Sequence, residues 1–142
     1  FRLDEIRSSL GMNQLKRIKK INSKRRSICK YYNEKIGKIP GIEIPEIFPK
    51  ESIHSCHLYI VRITKEFGLS RDQVVNKLEK KGIRTTVHYK PLHQFTVMKK
   101  YAKRIDLLKN SKQVFNEMIS LPLFLNLTRS QIDYVVNNIK RI

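Results

Sequence analysis

Gly82-Ile83-Arg84-Thr85-Thr86-Val87-His88-Tyr89-Lys90-Pro91-Leu92-His93 is the stretch on which the reading of this chain turns. A glycine closes a helix, and β-branched Ile83, Thr85 and Val87 alternate with Arg84 and Thr86, which predicts a strand. Strict alternation puts Arg84, Thr86 and His88 on one face, and Tyr89 on the other with Ile83 and Val87. Pro91 has no N–H to give a ladder, so the strand ends near Tyr89. His88, Tyr89 and His93 therefore stand where a strand gives way to a loop, a place from which side chains reach ligands. From these residues alone, a capped strand with a packed tyrosine and two surface histidines is the simpler account.

Upstream of this stretch, Ser70 with Gln73 three residues on forms a capping-box pattern. The helix it opens buries Val74, Val75 and Leu78 and ends at Gly82. Before it, His57 to Ile63 reads as a strand. Residues 38–49 are turn-rich, with Ile42 and Ile44 as a short edge strand, and a loop runs from Lys50 to Ser55. The chain opens on one long helix from Leu3 to Ile36, stopped by Gly37. Leu3, Ile6, Leu10, Leu15, Ile18, Ile21 and Ile28 form its apolar stripe. Gly11 costs that helix about 1 kcal/mol against alanine, and a closely approaching helix, from a second subunit, would explain it.

Downstream, Phe95 to Tyr101 forms a short helical piece and Asp106 to Met118 a longer helix. Ile119 to Phe124 is a strand cut short by Pro122. Thr128, with Gln131 three residues later, caps a last helix that buries Ile132, Val135, Val136 and Ile139. The expected architecture is α+β. A long N-terminal helix (1–37) leads into residues 38–142, a small, mainly antiparallel or mixed sheet with helices packed on it.

The 142 residues are one domain's worth, and the apolar fraction of 40% supports one core. No apolar run is long enough to span a bilayer, and no signal peptide is seen, so a cytoplasmic location is expected. Cys29 and Cys56 match no disulfide framework or metal spacing and read as small buried or half-buried residues in a reducing compartment. The first residue is Phe1, which points to a piece of something longer. The net charge of +18 is the strongest compositional signal. Lys16, Arg17, Lys19, Lys20, Lys24, Arg25, Arg26 and Lys30 crowd the first helix. A solvated face is preferred over a polyanion site, because neither interleaved aromatics nor a nucleic-acid motif accompanies them.

Tests for self-contained chemistry fail. His54 and His57 are three apart with no further ligand grouped beside them, so no metal is expected. The five glycines are scattered singly, without a phosphate loop. His88 and His93 have the chemistry of acid–base groups but no nucleophile beside them. No catalytic residue is therefore assigned.

Four blocks carry a resemblance to a known family. Phe1-Arg2-Leu3-Asp4-Glu5-Ile6 through Gly11 and Gln14-Leu15 is the first. Ser55-Cys56-His57-Leu58-Tyr59-Ile60-Val61-Arg62 is the second, and Gly82-Ile83 through His93 the third. Ser120-Leu121-Pro122-Leu123-Phe124, followed by Leu127-Thr128 and Ile132-Asp133-Tyr134-Val135, is the fourth. In this order they resemble the C-terminal part of the DegT/DnrJ/EryC1/StrS sugar aminotransferases. The G-I…V-H-Y-x-P-L-H block together with S-L-P-L-F is the most specific part. Ser8 and Ser9 stand where alanine is usual, and Lys99-Lys100 with Lys103-Arg104 replace a more neutral loop.

The resemblance implies the small C-terminal domain of a fold-type I pyridoxal-phosphate enzyme, spanning 1–142, with the catalytic large domain absent. It implies ping-pong transamination from an amino donor, usually glutamate, to a keto-sugar on a nucleotide diphosphate, in amino-sugar or surface-polysaccharide synthesis by a homodimer. The Schiff-base lysine pattern of the family is not present, so no cofactor-binding residue is assigned here. The positions of Arg2, His88 and Tyr89 match family residues that contact the sugar nucleotide, commonly across the dimer, with His93 nearby. Two other classes stay open: a non-catalytic basic module for nucleic acid or another polyanion, and an oligomerisation domain built on the long helix.

Overall fold

A computed structural model describes residues 2–44, 53–101, 103 and 105–142. Its first element, α1 (Glu5–Ile36), starts two residues later than the apolar pattern predicts. Asp4 is the reason: its carboxylate accepts the Arg7 N–H at 2.8 Å, satisfying one of the orphan donors of the first turn. Only the C-terminal third of α1 carries fully buried residues. Ile28, Cys29, Tyr32 and Ile36 are buried, whereas Leu3, Ile6, Leu10, Leu15 and Ile18 of the expected stripe are exposed. Among the described residues nothing lies within 4 Å of a Cβ built on Gly11, so none of their backbones explains that glycine.

Among the described residues three strands follow: β1 (Ile42–Glu43), β2 (Tyr59–Ile63) and β3 (Met118–Leu121). They form one antiparallel sheet in the order β1-β2-β3. Ile42 faces Ile63, and Tyr59 faces Leu121. Gly41, which leads into β1, adopts φ +74°, and a Cβ there would lie 2.1 Å from the Phe67 nitrogen. Only glycine fits that approach. The strands are shorter than expected: β1 excludes Ile44, β2 begins at Tyr59 instead of His57, and β3 stops before Pro122. Residues 45–52, which include the end of the turn-rich connection and the start of the loop after it, lie outside the described residues.

The helices are α2 (Arg71–Glu79), α3 (Thr96–Lys99), α4 (Lys109–Glu117) and α5 (Arg129–Lys140). Both expected capping boxes form, at Ser70/Gln73 and Thr128/Gln131. The α2 helix ends at Glu79, and Gly82 sits beyond it in the left-handed region, φ +71°. The helix expected over 106–118 divides into a 3-10 turn, Ile105–Leu108, and α4, which runs directly into β3.

α1 and α2 each pack on α5, α2 also packs on β3, and α4 packs on β2. Tyr32 of α1 stacks on Tyr59 of β2, ring centroids 4.6 Å apart. Their buried hydroxyls donate to the Pro122 carbonyl (3.0 Å) and to Asn33 Oδ1 (2.7 Å). Val61, Val74, Leu78, Ile119, Ile132 and Ile139 complete the centre, each burial contributing roughly 1.5–3 kcal/mol. Cys29 and Cys56 are both buried free thiols, as expected, and burial raises the pKa of Cys29 further, with Cys56 beside it.

Candidate functional site

Residues 83–90 depart most from the sequence reading. The β-branched run is extended, but among the described residues it makes one bridge, Thr86 to Ser120 of β3. Its two hydrogen bonds are Ser120 N–H to the Thr86 carbonyl, 2.7 Å, and Thr86 N–H to the Ser120 carbonyl, 3.3 Å. Ser120 already pairs across β2 with Ile60, so this bridge forms on the outer side of β3. Pro91 then turns the chain into a 3-10 turn, Leu92–Gln94, with Gln94 N–H donating to the Pro91 carbonyl at 2.9 Å.

The bridge positions His88. Two residues past Thr86 on the same side, its Nδ1 lies 2.8 Å from Ser120 Oγ and 3.4 Å from Thr86 Oγ1. The expected common face of Thr86 and His88 is therefore present. Tyr89 does not pack with Val87 as alternation requires. It is 75% exposed, and its ring stands edge-on to His88 with centroids 4.8 Å apart. One bridge in place of a continuous ladder leaves the backbone past Thr86 free of strict pleat alternation. His93, half-buried, occupies the 3-10 turn. Exposed Leu92, Phe95, Val97 and Tyr101 follow, with Lys90 Nζ over the Phe95 ring at 5.5 Å.

His88, Tyr89 and His93 thus share one loop at one edge of the sheet. Arg2 does not join them: it is exposed ahead of α1, and Glu5 to Ile28 alone covers about 35 Å of helix. A groove of about 620 Å³ opens beside Thr86, lined by Arg84, Pro122, Phe124, Gln131 and Tyr134; His88 is not among its walls. His54 and His57 are exposed, and His54 Nδ1 accepts the Cys56 N–H at 3.0 Å. Among the described residues no three His, Cys, Asp or Glu side chains gather as a metal group requires.

Sequence reasoning assigned no role to Ser120, which it quoted only within the S-L-P-L-F block. The serine is 4% exposed and is the closest partner of His88. A short polar residue in an otherwise apolar strand was the available signal.

The model of the DegT/DnrJ/EryC1/StrS aminotransferase family matches residues 1–140. The chain belongs to this family. An uncharacterised protein of Methanocaldococcus jannaschii is 31% identical over the whole chain, which covers 37% of that protein. Helicobacter pylori PseC, an aminotransferase involved in the biosynthesis of pseudoaminic acid, superposes with a TM-score of 0.85 at 28% identity. That superposition covers 99% of this chain and 38% of PseC. Spr1654 of Streptococcus pneumoniae, provisionally a sugar aminotransferase and solved in its PLP form, gives a TM-score of 0.86 at 29% identity. There the match covers 99% of this chain and 36% of Spr1654. This member of the aminotransferase family thus spans little more than a third of the length of these relatives.

Pyridoxal phosphate is the cofactor the family implies. A lysine that holds its aldehyde works from a desolvated site that keeps the amine nucleophilic. Every described lysine of this chain is exposed. The described residues do not fit that role, and no step through the cofactor is derived from them.

Proposed function

We propose that this chain is the sugar-facing small domain of a pyridoxal-phosphate aminotransferase acting on a nucleotide-linked keto-sugar, with the cofactor-holding large domain lying outside it. The observation that carries the reading is the 88–93 loop of a family member. It holds two histidines and a tyrosine at one sheet edge, His88 anchored from behind and Tyr89 open to solvent. His88 and Tyr89 contact the sugar nucleotide, with His93 beside them. Arg2, carried far from this loop by α1, serves the site of a second subunit in a homodimer. The exposed Leu3, Ile6, Leu10, Leu15 and Ile18 supply apolar surface for that contact. The loop's share of catalysis is orientation, holding the acceptor where reacting atoms meet.

His88→Ala in the complete enzyme tests this. A hydrogen bond to a charged group is worth about 1.5–3 kcal/mol, so kcat/KM for the sugar nucleotide should fall roughly 10- to 150-fold. The glutamate half-reaction and the cofactor absorbance should be nearly unchanged. Equal loss in both half-reactions would remove His88 from the sugar side.

A further inference from the structure

Which of the two ring nitrogens of His88 carries the proton follows from the atoms around it. Ser120 Oγ is buried, and its one partner among the described residues is His88 Nδ1, at 2.8 Å. If Nδ1 carried a proton, the serine oxygen would accept it. The serine hydroxyl hydrogen would then point into a buried region with no acceptor among the described residues, an arrangement that costs stability. If Nδ1 is bare, the hydroxyl donates to it, and no buried donor is left unmatched. Thr86 Oγ1, 3.4 Å from the same nitrogen, is exposed and can turn its hydroxyl to water. On the opposite side of the ring, Nε2 has no partner among the described residues.

We propose that Ser120 is a positioning residue for His88: its buried hydroxyl donates to Nδ1, leaving the neutral ring with Nε2–H aimed outward as a fixed donor. What such a donor takes is an oxygen acceptor, which on a sugar nucleotide is a diphosphate oxygen or a sugar carbonyl or hydroxyl oxygen. The ligand part of this inference rests on the reading of His88 as a sugar-nucleotide contact; the ring geometry does not. The fold supplies the positioning through the backbone: Ser120 is paired on both sides, by Ile60 of β2 and by Thr86, which fixes the point from which its hydroxyl reaches the ring.

The test uses the protein labelled with ¹⁵N at histidine, with long-range proton–nitrogen correlation at a pH where the imidazole is neutral. The expected result is His88 protonated on Nε2, with an Nδ1 resonance typical of a hydrogen-bond acceptor. In Ser120→Ala that resonance should move to the position of a free ring nitrogen, and in Thr86→Val it should stay. A proton on Nδ1, or an Nδ1 resonance indifferent to Ser120→Ala, overturns the proposal. A second arm titrates the complete enzyme with dTDP-glucose and with UDP-N-acetylglucosamine. Ser120→Ala should weaken whichever binds by about fivefold, and this loss should vanish in a His88→Ala background. Additive losses overturn the positioning role. Unchanged binding in His88→Ala alone overturns the sugar-nucleotide reading instead, and the resonance measurement then still decides the role of Ser120.

Discussion

At the scale of single residues, Glu117 shows how two opposed influences resolve. Burial raises its carboxyl pKa, but hydrogen bonds from Arg62 and Gln113, with the Arg62 charge, outweigh that and hold it below the usual value. The Arg62 guanidinium reaches Glu117 on α4 and Glu43 on β1, tying three elements together on the sheet face away from the core. A carboxyl with a lowered folded pKa binds fewer protons folded than unfolded. Its contribution is therefore complete above the unfolded value, about 4.3, and is lost as pH falls through the folded value. Denaturant midpoints measured from pH 7 down to pH 3 should fall less steeply for Glu117→Gln than for the parent. Parallel curves would show that the contact adds nothing pH-dependent.

At the scale of elements, α1 is two helices in energetic terms. Its C-terminal third is welded to the core through Tyr32 and Ile36, while residues 9–20 are all exposed among the described residues. An exposed helix of that kind depends on propensity, where Gly11 costs about 1 kcal/mol against alanine. Gly11→Ala should therefore raise amide protection around residues 7–18 by about fivefold, with little change in global unfolding. Hydrogen exchange followed by mass spectrometry reads this directly. Reduced protection in the variant would mean that another backbone does approach Gly11.

At the scale of the molecule, the charge of +18 sits mostly on exposed side chains, with Arg71 the one buried cation among the described residues. Among the described residues, none of the eight cations from Lys16 to Lys30 pairs with a carboxylate. Every described lysine is exposed, so none of them is set apart by burial. Incubation with pyridoxal phosphate followed by borohydride reduction should give low labelling scattered over many lysines, read by peptide mapping. Stoichiometric labelling of one lysine would show a built cofactor site in this chain.

Local signals were legible because their physics has short reach. The Ser70/Gln73 and Thr128/Gln131 boxes close over three residues, and both helices start where those pairs stand. Alternation put Thr86 beside His88 for the same reason, and Pro122 ended a strand by lacking a donor. The α+β class and the family followed from blocks kept in order along the chain. Contacts between distant parts decided the rest. Helical period located an apolar stripe on α1 but not which third of it would be covered, since that depends on where α5 and β2 pack. β-propensity in 83–89 predicted an extended segment, yet only the available edge of β3 limited it to one bridge. Tyr89 was freed from the pleat by that limit. The hydrogen bond that orients His88 joins residues 32 apart in the chain, and only the packed sheet brings them together.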